Sequence, residues 1–431
     1  MVLKVAFLLL ALFYFCEIEG AKNHKLVVYW GQNAVYNLKK ERQFWEKDLR
    51  HFCMNTRYDT IVLAFMHVFF DARQKDSMPG MNFAFHCETS MNADYPFLYR
   101  CPEIEAGIKE CQSRGKQVLM SLGGASGSYG FQNDAQATKF ANTVYHLLLE
   151  GDQLNNIRPF GSAVLDGVDL DIEGGTSIGY SAFVRELYKL TRNKKKKYII
   201  AAAPQCPFPD SFLGPSPGKA FQDVPTMFDE IYIQFYNNYC HTGDAKEFYP
   251  NFAQWINYSS KNNGPMIYIG VPSHERAAYG NGFWRTPAEM AAIYQKVKDE
   301  PRFGGFMFWD AAFDQNNIIG GRPYSEHIVD IMKGGSVTPT GSPVTSNSPA
   351  TKTNAPITKS TSSSKTTTTP NPTKPGSTSC NGLKDGIYAH PTDCTKFFQC
   401  HGGNSYVKSC SSGLKFNSVK LICDWPENVT C

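Results

Sequence analysis

The sequence has 431 residues, 42% of them hydrophobic, which suffices for one large core or for a large domain with a small one. A formal net charge of +4 gives no support to a nucleic-acid partner or to an extended acidic or basic binding surface. The one basic run, at 193–197, reads as a solvated helix C-terminus, where cations suit the helix dipole.

Residues 1–20 carry an early Lys4, an apolar run from Val5 to Cys16 and a small residue at Gly20. They read as a secretory signal peptide. The run is short for a membrane span, so a secreted, extracellular chain without a membrane partner is expected. Of the 13 cysteines, Cys16 falls in that peptide. Cys53, Cys87, Cys101, Cys111, Cys206 and Cys240 form one even set. Cys380, Cys394, Cys400, Cys410, Cys423 and Cys431 form another. In an oxidising compartment these point to disulfides, not metal sites. Asn257 and Asn428 begin acceptor sequences for N-glycans.

From 21 to 334, short apolar runs alternate with helical patterns. The runs lie at 25–32, 60–65, 117–124, 167–173, 198–204, 230–236, 265–272 and 303–310. They are nearly continuously apolar, as in strands buried on both faces. The clearest helix is 286–297, with Thr286 as cap, Pro287 in the first turn and Glu289 completing a capping box. Eight strand–helix units predict an α/β fold, a (β/α)8 barrel. An open doubly wound sheet is the alternative. It lacks support because no phosphate-binding glycine pattern follows the first strand.

The segment DGVDLDIE (166–173) holds the chemistry. Strand parity places Asp169, Asp171 and Glu173 on one face, inside the barrel. Val168, Leu170 and Ile172 take the other, and Asp166 has the wrong parity for the acidic face. Crowded carboxylates raise at least one pKa, which suits a general acid. A structural ladder holding Lys or Arg and a calcium site are the competing readings. No loop has calcium-ligand spacing, so no metal or cofactor is expected. A general acid suggests glycosidic cleavage. Asp171 shares a strand with Glu173 and stands on the wrong side to attack, whereas a 2-acetamido oxygen on the substrate itself can. N-acetylglucosamine polymers follow as the substrate class.

DGVDLDIE resembles the signature of family-18 glycoside hydrolases. YWGQN (29–33), SLGG (121–124), QFYNN (234–238) and FWD (308–310) each resemble a class III, hevamine-like chitinase strand, in the family's order. The resemblance implies Glu173 as proton donor, Asp171 holding the acetamide, Asp169 tuning Asp171, and Tyr236 bonding the acetamide oxygen. It implies Gln234 and Asn237 lining the central subsite, Trp309 flooring the pocket and Tyr29 flanking the glycone side. Cis peptides at Ala64–Phe65 and Trp309–Asp310 are implied too, as are the pairs Cys53–Cys111, Cys87–Cys101 and Cys206–Cys240. The segment 66–101 is longer than the plant enzymes' equivalent and closer to fungal-type relatives.

Residues 335–379 are almost all Ser, Thr, Pro, Lys, Asn and Gly and read as an unfolded linker. Residues 380–431 are too few for much of a core, so disulfides supply the constraint in a small β domain. Six cysteines allow 15 connectivities. Their spacing resembles the peritrophin-A type chitin-binding domain, which implies Cys380–Cys400, Cys394–Cys431 and Cys410–Cys423. Phe397, Phe398, Tyr406, Phe416 and Trp425 are available to stack on sugars, with Tyr406 and Trp425 expected to be the exposed pair and Asp424 and Asn417 as polar neighbours.

The expectation is thus a secreted, monomeric chitinase acting on chitin and chito-oligosaccharides with retention, through an open groove that favours endo cleavage. A catalytically silent chitin-binding lectin and an endo-acting hydrolase on N-glycans or peptidoglycan are the alternatives.

Overall fold

A computed structural model describes residues 23–278 and 282–335 and, in the C-terminal region, 383, 386–401, 404–409, 415–418, 422–424 and 429–430. The expected signal peptide and nearly all of the expected linker lie outside the described residues, as does Asn428.

Among the described residues, eight parallel strands close on themselves. They are β1 (Lys25–Trp30), β2 (Thr60–Val68), β3 (Gln117–Gly124), β4 (Gly167–Ile172), β5 (Ile199–Ala202), β6 (Glu230–Gln234), β7 (Met266–Pro272) and β8 (Phe303–Trp309). Each pairs with its chain neighbours, and β8 pairs with β1 to complete the barrel. Helices follow the strands: α1 (Leu49–Asn55), α2 (Pro102–Ser113), α3 (Asp134–Leu148), α4 (Tyr180–Thr191), α5 (Ala220–Asp223), α6 (Ala245–Lys261), α7 (Pro287–Val297), α8 (Ala311–Asn316) and α9 (Tyr324–Met332). The fifth helix is a single turn, so the expected units are unequal.

The layers follow strand parity. Val168, Leu170 and Ile172 of β4 pack outward into the core between barrel and helices. A smaller inner core contains Val27, Val62, Leu119, Tyr232, Tyr268 and Met307. At the start of the barrel, Lys25 of β1 pairs with Glu230 of β6 at 3.0 Å, a closing ion pair at strand ends. Helix α7 has the expected Thr286–Glu289 capping box, and Met290, Ile293, Tyr294 and Val297 form its buried face.

The cystine pairs Cys53–Cys111, Cys87–Cys101 and Cys206–Cys240 are all present. The first ties α1 to α2. The second closes the segment 66–101, whose internal order the apolar pattern did not show. Gly80–Met81 adds antiparallel to the end of β2, and Ser90–Asn92 pairs with Tyr95–Tyr99.

In the C-terminal region, Gly386–Ala389, Lys396–His401 and Asn404–Ser409 form an antiparallel sheet, and Lys415–Asn417 pairs with Ile422–Asp424. Phe397, Phe398, Phe416 and Asn417 are buried. Phe397 and Phe416 stack with ring centroids 4.6 Å apart, so these aromatics make the core. Trp425, Cys380, Cys410 and Cys431 lie outside the described residues, as do the side chains of Tyr406, Asp424, Cys400 and Cys423. Cys394 is disulfide-bonded.

Candidate active site

β4 lies between β3 and β5, with Asp169 opposite Ser121 and Asp171 opposite Gly123. The acids climb the inner face toward the strand's C-terminal end. Asp169 is 0% exposed and Asp171 4%, while Glu173, just past the strand, is partly exposed. This is the face where barrel enzymes assemble their sites. Gly123 makes the packing possible. Its φ is +114°, and a Cβ there would lie 2.2 Å from the Asp171 carbonyl oxygen.

Asp169 Oδ2 accepts hydrogen bonds from the Tyr29 hydroxyl and Ser121 Oγ, both at 2.7 Å. Its Oδ1 is buried without a hydrogen-bond partner. Burial raises the Asp169 pKa from the ordinary 3.8 to about 6, against the lowering effect of those two donors. The raised carboxyl thus lies at the bottom of the ladder, and its cause is burial rather than the crowding of like charges that was expected.

Gln234, the last residue of β6, reaches across the barrel. Its Nε2 donates to Asp171 Oδ1 at 2.9 Å, to the Ala203 carbonyl at 3.0 Å and to Glu173 Oε1 at 3.3 Å. One amide thus links both upper carboxylates. The Glu173 backbone N–H donates to the Tyr129 hydroxyl at 3.2 Å, and that hydroxyl donates to the Gly124 carbonyl at 2.6 Å. Tyr236 and Asn237 follow β6, both buried, with Asn237 in the left-handed region at φ +56°. Trp309 ends β8, partly buried, and stacks on Phe65 with centroids 6.0 Å apart. The peptides Ala64–Phe65 and Trp309–Asp310 are cis, as the resemblance implied.

Tyr29, expected to flank the glycone side, also holds a carboxylate. It is 2% exposed, and its hydroxyl is committed to Asp169. As a β1 residue of inward parity it points to the barrel axis, and its ring lies 5.9 Å from that of Trp309. Gln234 also differs in emphasis: at 4% exposed it holds the acids more than it lines a groove. Ser121 and Tyr129 were missed. Ser121 had a signal, a polar residue at an inward position of an apolar strand. Tyr129 sits in a loop and had none.

Asp166 behaves as its parity implied. Its Oδ2 accepts from the Val118 N–H at 2.8 Å and its Oδ1 pairs with Lys196 at 2.9 Å, away from the acidic face. Lys194 of the same basic run pairs with Glu150 at 3.2 Å. Asn257 is exposed on α6, while Ser259 of its acceptor sequence is buried and donates to the Pro265 carbonyl. Among the described residues no group of His, Cys, Asp and Glu is arranged to hold a metal, and no helix is long and apolar enough to cross a membrane.

Comparison with known proteins gives the site a context. The family model described as glycosyl hydrolases family 18 matches residues 25–287, and that of the chitin binding Peritrophin-A domain matches 380–431. The chain is 36% identical over 321 residues to Chitinase 3 of Candida albicans, covering 73% of this chain and 52% of that protein. It is 35% identical over 325 residues to an endochitinase of Saccharomyces cerevisiae, covering 75% and 52%. It spans about half the length of these curated relatives. Among solved structures, the ICChI chitinase from Ipomoea carnea superposes with a TM-score of 0.57 at 26% identity, covering 71% of this chain and 99% of that one.

Proposed function

The chain belongs to glycosyl hydrolase family 18, and from that membership we propose that it is a chitinase, hydrolysing β-1,4 linkages between N-acetylglucosamine units with retention of configuration. The observation that carries the reading is the single Gln234 amide bridging Asp171 and Glu173 at the open end of the barrel. Two carboxylates so coupled, on one strand and one side of the site, cannot take the opposed positions of acid and nucleophile.

Glu173 is the proton donor. It protonates the glycosidic oxygen as the C1–O bond breaks. The carbonyl oxygen of the substrate's own 2-acetamido group bonds to C1 from the other face, giving an oxazolinium ion. Asp171 accepts from the acetamide N–H, orients the group and offsets the positive charge. Tyr236 donates to the acetamide oxygen. Water then attacks C1 as Glu173 takes its proton, which restores the acetamide and leaves the β-anomer. Asp169, below, sets the field on Asp171. Trp309 gives the reacting sugar a flat apolar face, with Asn237 beside it.

Endo cleavage is favoured by the sequence between β7 and β8, which carries no long insertion, and by the likeness to an endochitinase. The C-terminal domain, matched by a chitin-binding model, holds the enzyme on insoluble chitin through Tyr406 and Trp425. Tethering through the expected linker at 335–379 raises the local substrate concentration at the barrel. The cystines and N-glycan acceptor sequences suit a secreted, extracellular monomer.

An anomer-resolved time course of products from a defined chito-oligosaccharide tests the reading. The β-anomer should appear first, from internal bonds. An initial α-anomer would exclude acetamide participation, and no product at all would make the chain a silent binder.

A further inference from the structure

Beyond the family's acidic strand lies a buried polar chain with no evident structural need. Gln205 follows β5 and Asn238 follows β6, and both are buried. Asn238 Nδ2 donates to Gln205 Oε1 at 2.6 Å, and Gln205 Nε2 donates to Gln234 Oε1 at 3.1 Å. Gln234 Nε2 then donates to Asp171 and Glu173.

The direction of this chain is dictated from one end. The Ala203 carbonyl can only accept, so the Gln234 amide must turn its NH2 toward it and toward Asp171. That leaves Gln234 Oε1 facing Gln205, which must offer its own NH2. Gln205 Oε1 then faces Asn238, which must do the same. All three amide dipoles point the same way, with their positive ends toward the carboxylates. In a dry interior such aligned bonds strengthen one another.

The backbone holds the relay in place. Gln205 forms a bridge with Gln234. The Cys206–Cys240 disulfide joins the residue after Gln205 to a residue two beyond Asn238. Trp255 Nε1 donates to the Cys206 carbonyl at 3.0 Å and supports the same loop from behind.

We propose that Gln205 and Asn238 are positioning residues for the reaction, forming with Gln234 a one-way amide relay that aims a donor at Asp171 and Glu173 and favours the ionised form of Asp171, the nearer of the two. This rests on the chitinase reading above. Without Gln205, the Gln234 oxygen loses its partner, and only the Ala203 carbonyl and the acids themselves are left to hold the amide in its orientation.

The test is the pH dependence of kcat/KM for Gln205→Met, which keeps length and removes both polar atoms. The acid limb should move up by about half a pH unit. The kcat should fall about tenfold with KM within about twofold, since the acetamide contacts remain. Asn238→Ala, one link further out, should shift the limb the same way and less. A limb that superposes on wild type in both variants, whatever the loss of rate, would reduce the two residues to packing and overturn the proposal. If Gln205→Met does not fold, Asn238→Ala carries the same two readings. Wild-type protein without turnover would refute the chitinase reading instead. The relay is then judged by 13C titration of the Asp171 carboxyl, which must rise in pKa in the variants.

Discussion

The Tyr29 hydroxyl donates to Asp169 Oδ2 at 2.7 Å inside the barrel. This bond stabilises the charged form of a carboxyl whose burial favours the neutral one. Removing it in Tyr29→Phe takes away a lowering influence, so Asp169 should titrate above its present value of about 6. The corresponding inflection in the kcat profile should move up, by as much as about one unit. A profile unchanged by Tyr29→Phe would mean that the charge of Asp169 does not reach the reaction.

Glu173→Gln keeps the shape of the proton donor and removes its proton transfer. Turnover should fall by roughly two to four orders of magnitude. Affinity for chito-oligosaccharides, read by calorimetry, should stay within about threefold of wild type. Turnover near wild type would assign the acid elsewhere.

Ending the chain at residue 334 should leave kcat and KM on soluble oligomers unchanged and lower the rate on insoluble chitin about tenfold. The comparison of the two substrates in one preparation is the measurement. Equal losses on both would mean that the C-terminal region supports the barrel and does not tether it.

Asp314 offers a stability test remote from the reaction. It is buried on α8, accepts from Tyr58 and from Ser325, and burial raises its pKa from 3.8 to about 6 despite those donors. A raised acid binds its proton more tightly folded than unfolded, so its contribution is full below about pH 4 and is lost as pH rises through about 6. Asp314→Asn, which cannot ionise, escapes that loss. Relative to wild type it should gain about 2–3 kcal/mol between pH 4 and pH 7. Thermal midpoints of both proteins across that range decide it. A constant difference would show that Asp314 keeps one protonation state throughout.

The barrel was legible because its strands are apolar runs at regular intervals, and β4 because acids alternating with Val168, Leu170 and Ile172 can share a face only in a strand. Parity also separated Asp166 from the other acids. It did not reveal what each inward side chain would meet across the barrel. The bond from Tyr29 to Asp169, a contact spanning 140 residues of sequence, was not foreseen. Gln205, Asn238 and Tyr129 sit in loops, which have no period to read. The segment 66–101 hid its short strands for the same reason, since runs of two, three and five residues are too few to show alternation.

Asp166 has its own importance. Its backbone N–H donates to Val118 and its carbonyl accepts from Ile199, while its side chain holds the Val118 N–H and Lys196. A slip of one residue in this strand would exchange its two faces. Val168, Leu170 and Ile172 would then fill the mouth of the barrel, and the three carboxylates would be driven into oil beneath the helices. Asp166 is the detent that sets the phase of everything after it, and an enzyme out of phase by one residue would have every part of its machinery and none of its chemistry.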